Sequence, residues 1–552
     1  MQANSRPQIP HLLAHSQIHN SQFIRYNPPM QKRLTTITLF IFLLLMAACE
    51  RPDPQVTVLS TRVPLAYVPT PLITPMADNA LPTPVRATPS QPMTENTTSP
   101  TPLPTYHGTP TPNPTRPSTV TTGSLLHTVQ AGETLGLIAQ RYAVTITALQ
   151  EANGLAGDLV YAGQTLTIPN QVTAVSPSFK IIPDSELIYS PAAAAFDVKR
   201  WLAPYDGYLA TYQEVVEGQT LTGAEIIQLI ADRFSLNPRL LLAVLEHQAG
   251  WITQSSPTET VYPLGLVQAN SEGLYWQLYW AADQLNKGFY GRSEGRLDSF
   301  LVGESQRLAF APDINDGTAS VQLYLGARSA TTYTQWQQDV GPDGLFATYT
   351  RLFGNPFAYT IDPLWPDDLT QPVLQLPWPA GETWYYTSGP HGGWGAGSAW
   401  AALDFVPPGE EDGCYSSETW VTAMSDGLVV RSSFGAVVVD LDGDGFAGTG
   451  WVLTYMHLEN RDRVAVGTWV QTGDRLGHPS CEGGFSNGTH VHVSRTYNGR
   501  WVSANGRISF VMSGWVAQST GREYDGFLIR GDIVKEAYAG ERAELNAVLH
   551  EQ

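Results

Sequence analysis

Positive charge is scarce in this sequence, in which 31 Lys and Arg residues face 50 Asp and Glu residues, for a net charge of −19 at pH 7. Nucleic acids are bound by basic faces that neutralise phosphate, so the deficit excludes nucleic acid as an expected partner. It equally argues against a polybasic attachment to anionic lipid. The excess of carboxylates otherwise indicates a solvated surface.

Long apolar runs are almost absent, and the one exception spans residues 34–48. Two basic residues precede this run, and two alanines followed by Cys49 close it. A basic stretch, a short apolar stretch and small residues before a cleavage point are typical of a secretory signal. Residues 1–49 are therefore predicted to direct export, with Met30 as an alternative start directly before the signal.

The Ala-Ala-Cys sequence at residues 47–49 resembles a bacterial lipobox, with Met46 in the place that leucine usually takes. The resemblance implies that Cys49 is acylated, which would make the chain a membrane-anchored lipoprotein outside the cytoplasm. A plain signal peptide, which would give a secreted protein, and an uncleaved anchor helix are the alternatives. Under each of them the rest of the chain is extracytoplasmic.

Cysteine is also scarce, and beyond Cys49 only Cys414 and Cys481 occur. An even pair of cysteines in an exported domain is expected to form a disulfide. Two unpaired buried thiols are the alternative.

Proline is plentiful, with 41 residues, but is unevenly placed. Residues 50–123 are dominated by Pro, Thr and Ser, as in PTPLITP, SPTPLPT and TPTPNPTRP. Such a stretch cannot bury enough apolar surface to fold and favours extended conformations. It is predicted to be a disordered stalk that holds the rest of the chain away from a membrane.

Residues 124–170 show two short runs of helical spacing between two strand-like runs. Leu135, Ile138 and Tyr142 mark the first helix, and Ile146 and Leu149 mark the second. Together with AGETL, the Ala-Asn-Gly-Leu turn and YAGQTLTIP, this pattern resembles a βααβ LysM module. The resemblance implies that loops next to the two strands bind the N-acetylglucosamine-containing glycan of peptidoglycan.

Residues 180–370 are predicted to be mainly helical. Thr222 and Glu225 form a capping-box pattern, and Asn237-Pro238 is a typical helix start. A helix that ends in Glu246, followed by Gly-Leu-x-Gln and an aromatic helix, resembles the lysozyme-like fold of lytic transglycosylases. The resemblance implies that Glu246 is a general acid, but His247 stands where that family has serine, so a substrate-binding scaffold is the favoured role of this module and glycan cleavage is the alternative.

From residue 371 to 552 apolar residues alternate with polar ones between Gly and Asp turns, which predicts an antiparallel β domain. The fold class is therefore multidomain: a LysM module, a mainly-α domain and a mainly-β domain. Asp440, Asp442 and Asp444 in DLDGDG resemble the start of a calcium loop. The bidentate glutamate of such loops is replaced by Trp451, so an acidic hairpin turn is the favoured interpretation, with calcium as the alternative.

Four histidines and one aspartate of the β domain can carry metal chemistry. His490 and His492 are two apart in THVHVS, so both project to one face of a strand. His457 lies on another predicted strand, His391 in the glycine-rich SGPHGGWG and Asp404 in AALDFVPPG. A catalytic zinc needs three protein ligands and one open position, which His391, Asp404 and His492 would provide. His457 and His490 could then relay protons and steady an oxyanion beside it.

This order of residues resembles the lysostaphin/LytM group of zinc endopeptidases, metallopeptidase family 23. Most members carry the first histidine four residues before the aspartate, a place that Trp400 takes here. The β-lytic and LasA-type branch takes it instead from an upstream Ser-Gly-Pro-His-Gly loop, which matches His391. The resemblance implies that His391, Asp404 and His492 bind one zinc ion and that His457 and His490 are catalytic.

The same resemblance makes Tyr524 a candidate transition-state donor. Separately, five aromatic residues lie near the ligands in the sequence, and some of them are expected to wall a substrate groove and others to be core residues. The five are Trp384, Tyr385, Tyr386, Trp394 and Trp400.

The sequence thus predicts a zinc endopeptidase that cuts peptide bonds in the stem or cross-bridge of peptidoglycan and is targeted by its LysM module. Two alternatives are a non-hydrolytic wall-binding or amidase-activating protein and a lytic transglycosylase that uses Glu246. Lost metal ligands would favour the former, and none is lost in this sequence.

Overall fold

The computed structural model describes residues 125–551, except 131–132, 143, 170–171, 304–305, 410–411 and 540–541. The predicted signal segment with Cys49 and the predicted stalk lie outside the described residues. Within the described part of the chain, no helix combines the length and the apolar character that crossing a bilayer requires.

The first module pairs strand β1 (Leu125–Thr128) antiparallel with β2 (Thr165–Ile168). Two helices lie between them, Leu135–Arg141 and Ile146–Asn153. Their apolar faces close a small core that is separate from the other cores of the described chain. The predicted βααβ order is therefore confirmed.

Residues 172–359 form a helical region that also contains five short strands. Strand β3 (Val172–Val175) pairs parallel with β7 (Gln306–Ala309), which pairs antiparallel with β6 (Ser299–Val302). Strands β4 (Gln213–Val216) and β5 (Gln219–Thr222) form a hairpin. The helices are Asp184–Leu187, Pro191–Ala194, Val198–Leu202, Tyr208–Thr211, Gly223–Phe234, Pro238–Ala249, Leu274–Ser293, Asp316–Ala327, Tyr333–Asp339 and Leu345–Phe353, followed by the 3-10 helix Pro356–Tyr359.

The two helix starts predicted in this region are confirmed. The Thr222 hydroxyl and the Glu225 carboxylate cap each other's backbone N–H groups at the start of Gly223–Phe234. Asn237 caps Pro238–Ala249 by accepting from the N–H of Arg239.

The C-terminal domain is built on one large antiparallel sheet with the strand order β14-β11-β12-β13-β16-β9-β8-β22, with β17 paired to β16. Strands β18 to β21 form a second sheet, and β10 pairs with β15. The bounds are β8 Thr383–His391, β9 Ala402–Val406, β10 Val421–Thr422, β11 Gly427–Ser433, β12 Ala436–Asp440, β13 Trp451–Met456, β14 Trp469–Val470, β15 Arg475–Gly477, β16 Val491–Tyr497, β17 Arg500–Trp501, β18 Val511–Met512, β19 Trp515–Ser519, β20 Gly526–Arg530, β21 Ile533–Glu536 and β22 Ala547–Leu549.

Aromatic residues of the domain close its core. The rings of Trp378 and Trp384 stack with centroids 5.4 Å apart, and Tyr386 packs beside Phe405. Trp384 and Tyr386 are fully buried in this cluster. Two of the five aromatics considered near the ligands therefore belong to this core, and a third, Trp394, is buried in another cluster.

A disulfide joins Cys414 to Cys481 across 67 residues, the pairing expected from the sequence. On the chain-entropy model, closing a loop of this length stabilises the fold by about 4 kcal/mol. The bond ties the segment before β10 to the segment that leads into β16.

The helical region and the C-terminal domain share part of their apolar core. Trp394, Met456 and Trp501 of the C-terminal domain are buried in the same cluster as Phe234 and Tyr290 of the helical region. Hydrogen bonds cross this boundary as well, since the N–H of Trp501 donates to the Tyr290 hydroxyl at 2.9 Å. The two parts are therefore packed as one body.

Candidate metal centre

Strand register brings three of the predicted site residues together. In the sheet order β16-β9-β8, His492 of β16 lies directly opposite Asp404 of β9. His391 is the last residue of β8, the other neighbour of β9, and its cross-strand partner is Ala402. The alternation of side chains along strands places all three on one face of the sheet.

The three side chains present one atom each to a common point. Nε2 of His391 lies 3.2 Å from Oδ1 of Asp404 and 3.1 Å from Nδ1 of His492. Nδ1 of His492 lies 3.1 Å from the same Oδ1, so the atoms form a nearly equilateral triangle. All three residues are buried.

Backbone carbonyls decide which ring nitrogens carry protons. Nδ1 of His391 lies 2.8 Å from the carbonyl oxygen of Gly389, and Nε2 of His492 lies 3.1 Å from that of Gly393. A carbonyl oxygen only accepts, so these nitrogens hold the protons and donate them. The inward-facing nitrogens, Nε2 of His391 and Nδ1 of His492, then carry lone pairs.

Oδ1 of Asp404 is consequently a buried oxygen that accepts no hydrogen bond from the described residues. When both imidazoles are neutral, three lone-pair atoms thus face one another with no proton between them. A cation is the group that would satisfy all three. Ligand atoms about 2.0–2.1 Å from a tetrahedral zinc ion lie roughly 3.3 Å apart, so the triangle fits zinc and leaves its fourth position open.

Burial and charge act on these groups in opposite directions. Burial by itself raises the pKa of Asp404, but the neighbouring His391 and His490 hold that pKa well below its usual range. Burial lowers the pKa of His391, yet the Asp404 carboxylate outweighs this and the net pKa is raised. For His492 burial prevails and its pKa is lowered, which favours the neutral imidazole that a metal requires.

His457 and His490 lie beside the triangle, as the sequence predicted, but neither lies within a strand: His457 directly follows β13 and His490 directly precedes β16. Nε2 of His490 lies 3.7 Å from Oδ1 of Asp404, and the rings of His457 and His490 have centroids 4.4 Å apart. Their Nδ1 atoms donate to the carbonyl oxygens of Glu482 and Gly488, at 3.0 and 2.7 Å, and within the described part of the chain neither Nε2 atom is bonded to the backbone. Burial, together with the nearby His490 and His492, holds the pKa of His457 well below its usual range.

Tyr524 and Glu523 lie at the rim of the metal centre, next to His391 and Gly392. The ring of Tyr524 stacks on His391 with centroids 4.7 Å apart, and the residue remains exposed. Oε1 of Glu523 accepts from the N–H of Gly392 at 3.4 Å. Nothing in the sequence had singled out Glu523. The carbonyl acceptors of the histidines were equally missed, because a backbone oxygen leaves no signal in a sequence.

The acidic hairpin loop between β12 and β13 lies at the other end of the strands from His492, since Met456 and Ala436 continue the cross-strand row of His492 whereas Asp440 pairs with Val452. Asp440, Asp442 and Asp444 come together there as a candidate cation group, but their oxygens already accept hydrogen bonds within the loop. The favoured interpretation as an acidic turn agrees with these bonds.

The carboxylate of Glu246 in the helical region is engaged in hydrogen bonds with nearby residues. Its carboxylate accepts from the Thr253 hydroxyl at 2.6 Å and from the N–H of Ile252 at 3.0 Å, and the residue is buried. These bonds fix the turn that follows helix Pro238–Ala249. A general acid instead needs its carboxyl directed at a substrate.

Two family models match parts of the chain. Residues 180–366 match the LasA N-terminal domain, and residues 127–169 match the LysM domain. The LysM prediction is thereby confirmed. The lysozyme-like resemblance has no such support, because the model that matches the helical region is a different one.

Curated relatives decide the family. Protease LasA of Pseudomonas aeruginosa (strain UCBPP-PA14) is 27% identical over 352 residues, which are 60% of this chain and 77% of the relative. The β-lytic metalloendopeptidase of Lysobacter enzymogenes is 30% identical over 162 residues, which are 28% of this chain and 83% of the relative. The chain belongs to the β-lytic metalloendopeptidase family.

This membership confirms the resemblance found in the sequence and makes the chain a metalloendopeptidase. Among solved structures, the M23 metalloprotease pseudoalterin from the deep sea is 28% identical, with coverage of 31% of this chain and 97% of its own and a TM-score of 0.26. The large antiparallel sheet of the C-terminal domain, whose strands β8, β9 and β16 contain His391, Asp404 and His492, is called the peptidase sheet below.

Proposed function

We propose that the chain is a zinc endopeptidase that hydrolyses peptide bonds in the stem or cross-bridge peptides of peptidoglycan. His391, Asp404 and His492 hold the zinc ion in this proposal. The observation that carries it is the triangle of three buried lone-pair atoms 3.1–3.2 Å apart, with no proton among them.

A zinc ion held there would supply Lewis acidity toward a substrate carbonyl and would lower the pKa of a water molecule. His391 and His492 are kept in the ligating tautomer by their bonds to the Gly389 and Gly393 carbonyls. Asp404 adds the negative charge that offsets part of the charge of a divalent ion.

His457 and His490 hold and move protons in this proposal. The lowered pKa of His457 keeps its Nε2 unprotonated at neutral pH, so that it accepts a proton from the attacking water. His490, whose Nδ1 donates to the Gly488 carbonyl, presents Nε2 to the same space, and in its imidazolium form it can donate the Nε2 proton to an oxyanion or to the leaving amine. Tyr524 offers a further hydroxyl at the rim.

The LysM module is proposed to bind peptidoglycan glycan and to concentrate the wall near the peptidase through the covalent link between them. Export and a lipid anchor at Cys49 complete the proposal, because the substrate lies outside the cytoplasm.

Digestion of purified peptidoglycan with the full-length chain tests the proposal. We expect new amino termini in the released muropeptides, whose position mass spectrometry identifies, and loss of this product in His391→Ala. Glu246→Gln should cleave like the unaltered chain. Anhydro-muropeptides that disappear in Glu246→Gln would instead identify a transglycosylase, and absence of any cleavage with zinc bound would leave a wall-binding protein.

A further inference from the structure

The backbone of His457 has an unusual conformation. His457 directly follows β13 of the peptidase sheet, and its φ of 64° lies in the left-handed region, which residues other than glycine rarely adopt. A residue keeps such a conformation only where the surrounding structure fixes it, and such conformations are concentrated at functional sites. The contacts that fix His457 are therefore candidates for a functional role.

The carbonyl oxygen of His457 accepts two hydrogen bonds from Ser480. The N–H of Ser480 donates to it at 2.6 Å, and the Ser480 hydroxyl donates to it at 3.0 Å. Ser480 is buried, and its hydroxyl oxygen also accepts from the N–H of Glu482 at 3.0 Å. One hydroxyl thus connects the backbone of His457 to the backbone of Glu482.

The imidazole of His457 is bonded to the same turn. Its Nδ1 donates to the carbonyl oxygen of Glu482 at 3.0 Å. His457, Ser480 and Glu482 therefore form a closed ring of hydrogen bonds that holds both the backbone and the side chain of the histidine. A displacement of Glu482 would take away the acceptor that keeps the proton on Nδ1 and leaves Nε2 as the basic atom.

Further contacts fix the turn of residues 480–482. Its middle residue, Cys481, is joined to Cys414 by the disulfide. The turn also lies against the connection between β11 and β12, since a Cβ atom on Gly435 would lie 2.3 Å from the carbonyl oxygen of Glu482. The turn is therefore held from two sides.

The turn lies between the two histidines that are proposed to transfer protons. The carbonyl oxygen of Ser480 accepts from the N–H of His490 at 3.3 Å, while the N–H of Ser480 donates to the carbonyl of His457. All of these residues belong to the C-terminal domain.

We propose that Ser480 is a positioning residue for His457. Its hydroxyl fixes the backbone of His457 and the position of the Glu482 carbonyl, so that the Nδ1 proton stays bonded and Nε2 stays available as a proton acceptor. The inference rests on the proposed function, in which His457 accepts a proton from the attacking water. It gives Ser480 no part in binding the metal.

Variants of the full-length chain test this role. Ser480→Ala removes the hydroxyl and both of its hydrogen bonds, whereas Ser480→Thr keeps a hydroxyl at the same position. Ser417→Ala is a matched control, because Ser417 is another buried serine of the same domain, with its hydroxyl bonded to Thr419. Should Ser480→Ala fail to fold, Ser480→Gly, which also lacks the hydroxyl, takes its place.

One readout is independent of activity. In the zinc-loaded chain labelled with ¹⁵N-histidine, NMR correlations between ring protons and ring nitrogens identify the protonated nitrogen, and His457→Ala assigns the signal. We expect one Nδ1-protonated form of His457 in the unaltered chain, in Ser480→Thr and in Ser417→Ala. In Ser480→Ala we expect a shifted Nδ1 resonance or a mixture of tautomers. His490 is the internal reference, because its Nδ1 donates to Gly488 and not to the turn.

Digestion of peptidoglycan gives the second readout. Misplacement of a reacting group by about 1 Å can cost about 10²-fold in rate, and we expect Ser480→Ala to lower kcat by about that factor. KM and zinc content should be unchanged, because within the described part of the chain the Ser480 hydroxyl is bonded to no metal ligand. Ser480→Thr and Ser417→Ala should keep the kcat of the unaltered chain.

An unchanged His457 signal or an unchanged kcat in Ser480→Ala would overturn the inference. Equal losses of kcat in Ser480→Ala and Ser480→Thr, or in Ser480→Ala and Ser417→Ala, would also overturn it, because the hydroxyl would then have no specific role. Loss of zinc from Ser480→Ala would do the same. Failure of the proposed function is recognised separately, as the absence of new amino termini with the unaltered zinc-loaded chain, and the His457 signal then still decides whether Ser480 fixes the imidazole.

Discussion

Nδ1 of His492 lies 3.1 Å from Oδ1 of Asp404, and the two residues are direct cross-strand partners in the ladder of β9 and β16. The register of two strands thus sets the geometry of two candidate ligands. A one-residue slip of β16 would turn His492 to the other face of the sheet and bring Val491 or Val493 opposite Asp404. The metal centre therefore depends on the fold of the whole sheet.

Loss of a ligand should remove the metal. We expect His492→Ala to bind zinc at least about 100-fold more weakly than the unaltered chain, since even outer-shell losses cost 10–100-fold. Metal analysis of the purified full-length protein measures the stoichiometry. His247→Ala, a histidine of the helical region, is the control and should retain about one zinc per chain. Full zinc occupancy in His492→Ala would refute the ligand assignment.

Loss of a proton-transferring histidine should spare the metal and slow the reaction. His457→Ala and His490→Ala are each expected to lower kcat by about 10²–10⁴-fold, the range of general acid–base contributions. Zinc content measured on the same samples should be unchanged. If the two residues act on one proton transfer, the double variant will be scarcely slower than the slower single variant. Zinc loss in either variant would place that histidine among the ligands.

The sequence sufficed to predict the module order and the five residues that converge at the site. Period-two alternation predicted that the side chains of His490 and His492 project to one face. The order of the other three residues matched a known branch of metallopeptidases. The structure brings these side chains together as that order implied. Their separate roles in binding and catalysis stay predictions until the variants above are measured.

The bonding of Glu246 and the contact of Asp283 could not be predicted from the local sequence. Glu246 ends a helix, as a catalytic acid can, but its carboxylate is bonded to the turn at Ile252 and Thr253. Asp283 accepts a hydrogen bond from the N–H of Gly397, more than a hundred residues later in the chain, and a single carboxylate on a helix predicts no particular contact. Interactions between distant regions follow from packing, which sequence periodicity does not determine.

The disulfide between Cys414 and Cys481 is expected to contribute measurably to stability. Replacing both cysteines by serine should lower the free energy of unfolding of the C-terminal domain by about 2–5 kcal/mol, the usual range for a native disulfide. Urea unfolding of the full-length chain, with and without the substitutions, measures the difference. The same comparison under reducing conditions is the control, because the unaltered chain then also lacks the cross-link and the two chains should unfold alike. Equal midpoints for the double variant and the unaltered chain would contradict the expectation.

The acidic loop between β12 and β13 should make stability depend on pH. Burial, together with Asp442, raises the pKa of Asp440 from 3.8 to about 7. Between these values the folded chain holds a proton that the unfolded chain has released, so the free energy of unfolding falls as pH rises from about 4 to about 7. Asp440→Asn removes this contribution. The midpoint temperature of its thermal unfolding should therefore rise, relative to that of the unaltered chain, as the pH increases.

Thermal unfolding at pH 5 and pH 8, in buffer depleted of calcium, measures this difference between variant and unaltered chain. Asp426→Asn is the control, because its effect should be the same at both pH values. Hydrogen bonds from Thr472 lower the pKa of Asp426 below its ordinary value of 3.8, so its contribution to stability is fully present at pH 5 and at pH 8 and is lost only at lower pH. The difference between variant and unaltered chain should therefore change between pH 5 and pH 8 for Asp440→Asn and stay constant for Asp426→Asn. A constant difference for Asp440→Asn as well would show that Asp440 does not hold a proton in the folded chain near neutral pH.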